Sequence, residues 1–251
     1  MKKIFLNKNV VITGSSTGLG YSLGVEYLKH GANVIFCGNK NEKNFRLLKG
    51  KFLNKKFFFL GNFLEERELI NFKKFVSVKF KKIDILIHCL GGGFGITDKL
   101  PTADQMLKLY KLNFGIGAEI NRILYPLIKK KYGHIIHVGS TASVQAIGSV
   151  GYTSMKTAIR GYVKILASKL ISEGIIVNSF MPGAFIAKDN HFYRMKNNDP
   201  KYYKKFLNKL KVPEINSCKN IIPLIFLMSS EQGRMLAGSN ILIDSCETNA
   251  I

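Results

Sequence analysis

Val10-Val11-Ile12-Thr13-Gly14-Ser15-Ser16-Thr17-Gly18-Leu19-Gly20 is the stretch on which the reading of this chain turns. An apolar, β-branched run passes directly into a glycine-rich turn, and the amphipathic segment Leu19 to His30 follows at once. Strand, tight turn and helix in that order suit a dinucleotide pyrophosphate. Glycine lets backbone approach the ligand, and the helix N-terminus offers unpaired N–H groups and the positive end of its dipole. Gly14, Ser16, Thr17, Gly18, Leu19 and Gly20 are therefore candidate phosphate-binding residues.

Outward from that turn the alternation repeats to the C-terminus. Short, nearly continuous apolar runs predict strands at Val10 to Thr13, Asn33 to Cys37, Lys56 to Leu60, Asp84 to Cys89, His134 to Gly139, Ile175 to Phe180 and Asn240 to Asp244. Between them, longer segments predict helices over Leu19 to His30, Glu65 to Phe80, Ala103 to Lys130, Tyr152 to Glu173 and Lys219 to Ser229. Strands of this kind are buried on both faces, so the expectation is an α/β fold: one Rossmann-type domain over residues 1–251, its doubly wound seven-stranded parallel sheet covered by helices on both faces. One connection breaks the rhythm. Residues 184–216, rich in Lys, Tyr, Phe and Asn, are too long for an ordinary loop and lie after a strand, where the ligand crevice of such a sheet opens. They are read as a substrate lid.

Composition excludes several other classes. With 251 residues and 46% apolar content the chain can bury one sizeable core. The densest apolar run, Ile221 to Met228, is too short for a membrane helix, and the N-terminal Ile4-Phe5-Leu6 run ends before it resembles a secretion signal, so a cytoplasmic protein is expected. Cys37, Cys89, Cys218 and Cys246 form no Cys-x-x-Cys pair. His134 and His137 would point to opposite faces of a strand, and no metal site is expected. The 38 basic residues against 16 acidic ones give a net charge of +22, but lysines recur along the whole chain instead of forming one patch with interleaved aromatics, so nucleic acid is not the expected partner.

A second constellation carries chemistry. In Tyr152-Thr153-Ser154-Met155-Lys156, a helix would place the tyrosine and lysine on one face, where an ammonium favours the phenolate. Just upstream, His137-Val138-Gly139-Ser140 ends a predicted strand, which would bring the Ser140 hydroxyl to the crevice. A buried phenol of adjusted acidity beside a hydroxyl is a means of protonating the alkoxide formed when a carbonyl accepts hydride.

Together, the Thr-Gly-x-x-x-Gly-x-Gly turn, Ser140 and Tyr152-x-x-x-Lys156 resemble the short-chain dehydrogenase/reductase family over essentially the whole chain. The resemblance implies a nicotinamide cofactor and a small-molecule carbonyl or alcohol substrate. It implies Ser140 as substrate-orienting serine, Tyr152 as acid/base, Lys156 as its activator and Asn113 as holder of a relay water. It also places Asn62 and Phe63 beside adenine, Leu90 and Gly91 on the cofactor strand, and Pro182, Gly183 and Phe185 at the nicotinamide turn. The chain departs from the family pattern at His88, Cys89 and Leu90 (for Asn-Asn-Ala), at Ala187 (for a threonine) and at Ser245-Cys246 (for Gly-Gly). Ser140 also stands one position closer to Tyr152 than is usual, with Ser143 as its stand-in.

After the second predicted strand, Cys37-Gly38-Asn39-Lys40 carries no carboxylate to repel a 2′-phosphate, and Lys40, with Lys43, can pair with one. NADP is therefore expected in preference to NAD, with Asn39 and Lys40 at the adenosine ribose. The lid and the Leu90 to Gly95 segment loosely resemble oxidoreductases of bacterial surface-sugar biosynthesis, which points to a sugar-type substrate. A 3-oxoacyl thioester reductase is the alternative, and a noncatalytic nucleotide-dependent regulator or nucleic-acid binder is the alternative of another class. A homotetramer or dimer, assembled through the helices beginning near Ala103 and Tyr152, is what the resemblance implies.

Overall fold

The computed structural model describes residues 3–39, 42–48, 50 and 52–249, of which the side chains of 42 and 43 are left undescribed. Strands β1 (Asn9–Thr13), β2 (Asn33–Gly38), β3 (Lys56–Leu60), β4 (Ile85–His88), β5 (Gly133–Val138), β6 (Ile175–Pro182) and β7 (Asn240–Ile243) form a single sheet in the order β3-β2-β1-β4-β5-β6-β7. Every pairing is parallel. The strand order reverses between β1 and β4, and the crevice at that switch point is where such sheets take ligands.

Alternation along the strands builds two cores. Val10 and Ile12 of β1 face one side with Ile87, Ile136 and Phe180, and are covered by helices α1 (Gly18–Lys29) and, near the C-terminus, α9 (Ile222–Met228). Val11 faces the other side with Leu86, Ile135 and Val177, under α3 (Glu66–Lys79), α5 (Ile116–Leu124) and α6 (Val150–Leu170). Strands so buried on both faces read as continuous apolar runs, which is why their positions were evident in the sequence.

Two expectations are corrected. The helix expected from Ala103 to Lys130 is broken. It comprises α4 (Ala103–Tyr110), a π-helical turn at Lys111–Gly115, α5 and a 3-10 turn at Tyr125–Leu127. Apolar periodicity runs through all of it, but the Asn113 side chain takes the carbonyl of Leu109 (3.1 Å) and widens the ladder. The 184–216 connection, expected to run between a strand and the next helix, carries two helices of its own, α7 (His191–Asn198) and α8 (Pro200–Leu207). Asn190 and Asp199 cap these helices by accepting from the N–H groups of Tyr193 (2.8 Å) and Tyr202 (2.9 Å), and Phe192 packs on Phe206. A short helix, α2 (Glu42–Arg46), follows β2 and was not anticipated.

Ser245 and Cys246, which replace the family's Gly-Gly, take left-handed φ angles of 52° and 59° in the tight turn after β7. Side chains there crowd the backbone in a way glycine does not. The double variant Ser245→Gly/Cys246→Gly is expected to gain about 1 kcal/mol of stability. Urea unfolding of the two proteins side by side checks this, and an unchanged or lowered midpoint contradicts it.

Candidate active site

The glycine turn is held from both sides by its own chain. Ser15 Oγ donates to Ile12 O (2.7 Å) and accepts from Cys37 N (2.8 Å), tying the turn to β2. Gly14, at φ 62°, lies so close to β4 that a Cβ there would stand 2.6 Å from Leu90 N. Only glycine fits. Thr17 precedes α1 in extended conformation, and its side chain does not cap the helix. The opening of α1 is met instead by the segment after β6: Lys188 O accepts from Gly18 N (3.0 Å), and Lys188 Nζ reaches Asn44 Oδ1 (3.4 Å). Buried Asn44 donates in turn to Ser16 O (2.8 Å). Ser15, Asn44 and Lys188 were not singled out in the sequence, where nothing distinguishes them from other polar residues.

Around the adenosine end the structure brings together less than expected. Asn39 is exposed at the end of β2, while Lys40 and the Lys43 side chain lie outside the described residues. Asn62 serves its own turn, donating to Glu65 Oε1 (3.0 Å) and accepting from Leu64 N (3.3 Å). The Phe63 side chain is buried against Phe59 and Phe72.

At the other end of the crevice the expected residues converge. Lys156 on α6 is buried, and its Nζ donates to Val138 O at the end of β5 (2.8 Å). Beside it, Asn113 accepts from Gly92 N (2.8 Å) and donates to Gly92 O (3.0 Å), so the π-helical turn grips the segment following β4. Gly91 fits between them: a Cβ there would stand 2.9 Å from Asn113 Oδ1 and 3.1 Å from Lys156 Nζ. Ser140, partly exposed, lies close enough to the Tyr152 side chain to oppose the rise of its pKa, and its Oγ accepts from Ala142 N (3.2 Å). Ser143 is turned away, donating to Ser140 O (2.6 Å) and Met181 Sδ (3.0 Å), and is no stand-in. After β6, Gly183 N donates to Ile243 O (2.9 Å) and Ala184 N to Glu247 Oε2 (2.5 Å), which fixes the Pro182-Gly183 turn. Phe185 packs against the core beside α1.

The electrostatics differ from the sequence expectation in one respect. The Lys156 ammonium lies 5.8 Å from the centre of the Tyr152 ring and points at a carbonyl, not at the phenol. Burial therefore pushes the Tyr152 phenol pKa above its ordinary value, making it a weaker acid, with nearby Ser140 opposing the shift. Burial moves Lys156 the other way, down to about 8, with nearby Cys89 opposing. His134 and His137 do lie on opposite faces of the sheet, His134 toward Met228 and His137 against His88.

A family model described as short chain dehydrogenase matches residues 8–196. The chain belongs to the short-chain dehydrogenase family. As a member it is an oxidoreductase. Among curated relatives, the 3-oxoacyl acyl-carrier-protein reductase FabG of Buchnera aphidicola is 27% identical over 249 residues, covering 94% of this chain and 96% of that enzyme. Among solved structures, the L-sorbose reductase of Gluconobacter frateurii, complexed with NADPH and L-sorbose, superposes with a TM-score of 0.88. It has 22% identity and full coverage of both chains. The Pseudomonas aeruginosa RhlG/NADP complex has a TM-score of 0.86 at 22% identity, covering 98% of this chain and 99% of that one.

The buried lysine is a cost to folding. Below pH 8 both folded and unfolded chains carry its proton and the full cost is felt. Between about 8 and 10.5 only the unfolded chain holds it, so stability rises with pH there, and above 10.5 the cost is gone. Lys156→Met is therefore expected to unfold at higher temperature at pH 7, by on the order of 1–2 kcal/mol once the lost Val138 bond is offset. Calorimetry at pH 7 and pH 10.5 checks it: the gain should shrink at the higher pH.

Proposed function

We propose that this family member is a carbonyl reductase that prefers NADP(H), with Tyr152 as acid/base, Ser140 orienting the substrate oxygen, and Lys156 and Asn113 supporting them. The observation that carries this is the convergence of Ser140 on Tyr152, and of Asn113, Gly91 and Lys156 on one another, at the mouth of the sheet's switch point. The glycine cradle against Leu90, the start of α1 where no side chain caps the helix, and the space kept by Gly91 fit a dinucleotide lying from α1 to Lys156, which would displace Lys188 O from Gly18 N. Bound there, the nicotinamide supplies the hydride, or accepts it in the reverse reaction.

The protein's part is proton handling. Burial keeps the Tyr152 phenol protonated at neutral pH, which suits an acid that gives its proton to a forming alkoxide. Ser140 accepts or donates at the same oxygen and holds the carbonyl in line. Lys156 and the Asn113 turn are the route by which Tyr152 regains its proton. Two structural neighbours that are complexes with NADPH or NADP support the phosphate-bearing cofactor, as does the absence of a carboxylate in Cys37-Gly38-Asn39-Lys40.

For the substrate, the polar lid and the L-sorbose reductase likeness support a sugar-type carbonyl. The FabG relative supports the second reading, a 3-oxoacyl thioester, for which the net charge of +22 suits an acidic carrier. Leu107 and Tyr110 of α4 and Val150 and Ile165 of α6 are exposed apolar residues on the helices expected to pair in an oligomer. Among the described residues no helix is long and apolar enough to cross a membrane, and a cytoplasmic enzyme is the reading we adopt.

Two measurements test this. Tyr152→Phe is expected to keep NADPH binding and to lose turnover by about 10²- to 10⁴-fold. NADPH oxidation followed at 340 nm with sugar and acyl carbonyls checks it, and a variant as active as wild type removes Tyr152 from the mechanism. Because Lys156 loses its proton at about pH 8, kcat/KM for reduction is expected to hold below that pH and fall above it. A profile flat to pH 10 shows that the charged lysine is not needed.

A further inference from the structure

Four buried or half-buried polar side chains outside the residues above meet behind Lys156. His88 Nε2–H donates to Asn121 Oδ1 (2.8 Å). Asn121 Nδ2 donates to His137 Nε2 (3.1 Å) and to the Tyr162 hydroxyl (3.0 Å). The two imidazoles stack with centroids 4.4 Å apart, and the Tyr162 ring meets His137 edge-on at 5.6 Å. His88, Asn121 and His137 are only 5%, 5% and 4% exposed.

Their chemistry fixes their protonation. Burial holds His88 down to about 4 and His137 well below its ordinary value, so both rings are neutral. A neutral imidazole has one N–H and one bare nitrogen. The amide oxygen of Asn121 only accepts, so His88 carries its proton on Nε2. The amide nitrogen only donates, so His137 carries its proton on Nδ1. The two histidines are thus opposite tautomers, and His88 Nδ1 is left as a bare acceptor.

Among the described residues that acceptor has no hydrogen-bond partner, and neither does Thr13 Oγ1. Thr13 lies directly across the β1–β4 pairing from His88 and is 1% exposed. Both line one cavity, together with Asn113, His137 and Val138, and its ≈ 10 Å³ open to a water centre is room for a single molecule. Two buried polar atoms facing a space of that size are an incomplete hydrogen-bonding set.

We propose that this cavity binds one water molecule, which donates to His88 Nδ1 and accepts from Thr13 Oγ1, and that His88, Asn121 and His137 with this water form the positioning frame of the Lys156–Asn113 pair. The frame joins the four elements that carry the site. His88 ends β4, which leads to Gly91. His137 precedes Val138, whose carbonyl receives Lys156. Asn121 is on α5, directly after the π-helical turn of Asn113, and Tyr162 is on α6 with Lys156. A neutral network is what the place requires, since a charged imidazole would repel the ammonium beside it.

The functional half of this inference rests on the reductase reading, whereas the water site does not. Two-bond ¹⁵N–¹H correlation spectra of the free protein at pH 7 are expected to show His88 as the Nε2–H tautomer and His137 as the Nδ1–H tautomer. His88 protonated on Nδ1 overturns the proposal without any variant. Thr13→Val, nearly isosteric, is expected to move the His88 Nδ1 resonance toward that of an unbonded ring nitrogen while leaving His137 in place, and Thr13→Ser is expected to restore it. An unmoved His88 resonance overturns the water site. With a carbonyl that wild type reduces, Thr13→Val is expected to lower kcat by about ten- to hundredfold, with KM and NADPH affinity changed by less than about twofold. An unchanged kcat overturns the positioning role. If wild type reduces no carbonyl, the reductase reading fails, while the spectra still decide the water site.

Discussion

The hydrogen bond from Lys156 to Val138 O is the interaction on which the rest of the site depends. An ammonium withdrawn from water is expensive to hold, and the chain holds it with a carbonyl, a close turn of backbone at Gly91 and a wall of neutral polar groups. Each of these restricts what the surrounding elements are able to do. β5 must end where Val138 presents its carbonyl to α6, Gly91 must lack a side chain, and the helix carrying Asn113 must open into a π turn to reach Gly92. The break between α4 and α5 is the local cost of bringing an asparagine from one layer to the strand end of another.

The sheet supplies the rigidity that such an arrangement needs. β1, β4 and β5 are its central strands, each flanked by parallel neighbours, and the groups that matter lie at their C-terminal ends: the glycine turn after β1, Gly91 after β4, and Ser140 after β5. Strands buried on both faces do not slide without exposing apolar residues, so the spacing between these groups is fixed by the packing of Val11, Leu86 and Ile135 well below them.

Strand positions and the site constellation were readable in the sequence because each has a strong local cause. Continuous apolar runs mark doubly covered strands, and a tyrosine and lysine four apart on a helix share a face whatever surrounds them. What escaped was set by tertiary contact. The direction of the Lys156 ammonium depends on a carbonyl from another strand, so the effect of the lysine on Tyr152 was misjudged. The two short helices after β6 were missed because each is only two turns long and rich in Lys, Asn and Tyr, although the Asn190 and Asp199 caps and Pro200 are local signs of them. No local pattern announces a network such as His88–Asn121–His137, whose members lie far apart in sequence.

The contact between Lys188 O and Gly18 N also links two events that are separate in sequence. An N–H that donates to the chain's own carbonyl does not at the same moment donate to a phosphate. A ligand that took that donor would displace the Lys188 carbonyl, and movement of the segment after β6 would free the donor. By reciprocity, the free energy with which such a ligand loosens this contact equals the free energy with which release of the segment favours the ligand. A single backbone hydrogen bond thereby couples the opening of α1 to the chain that follows β6.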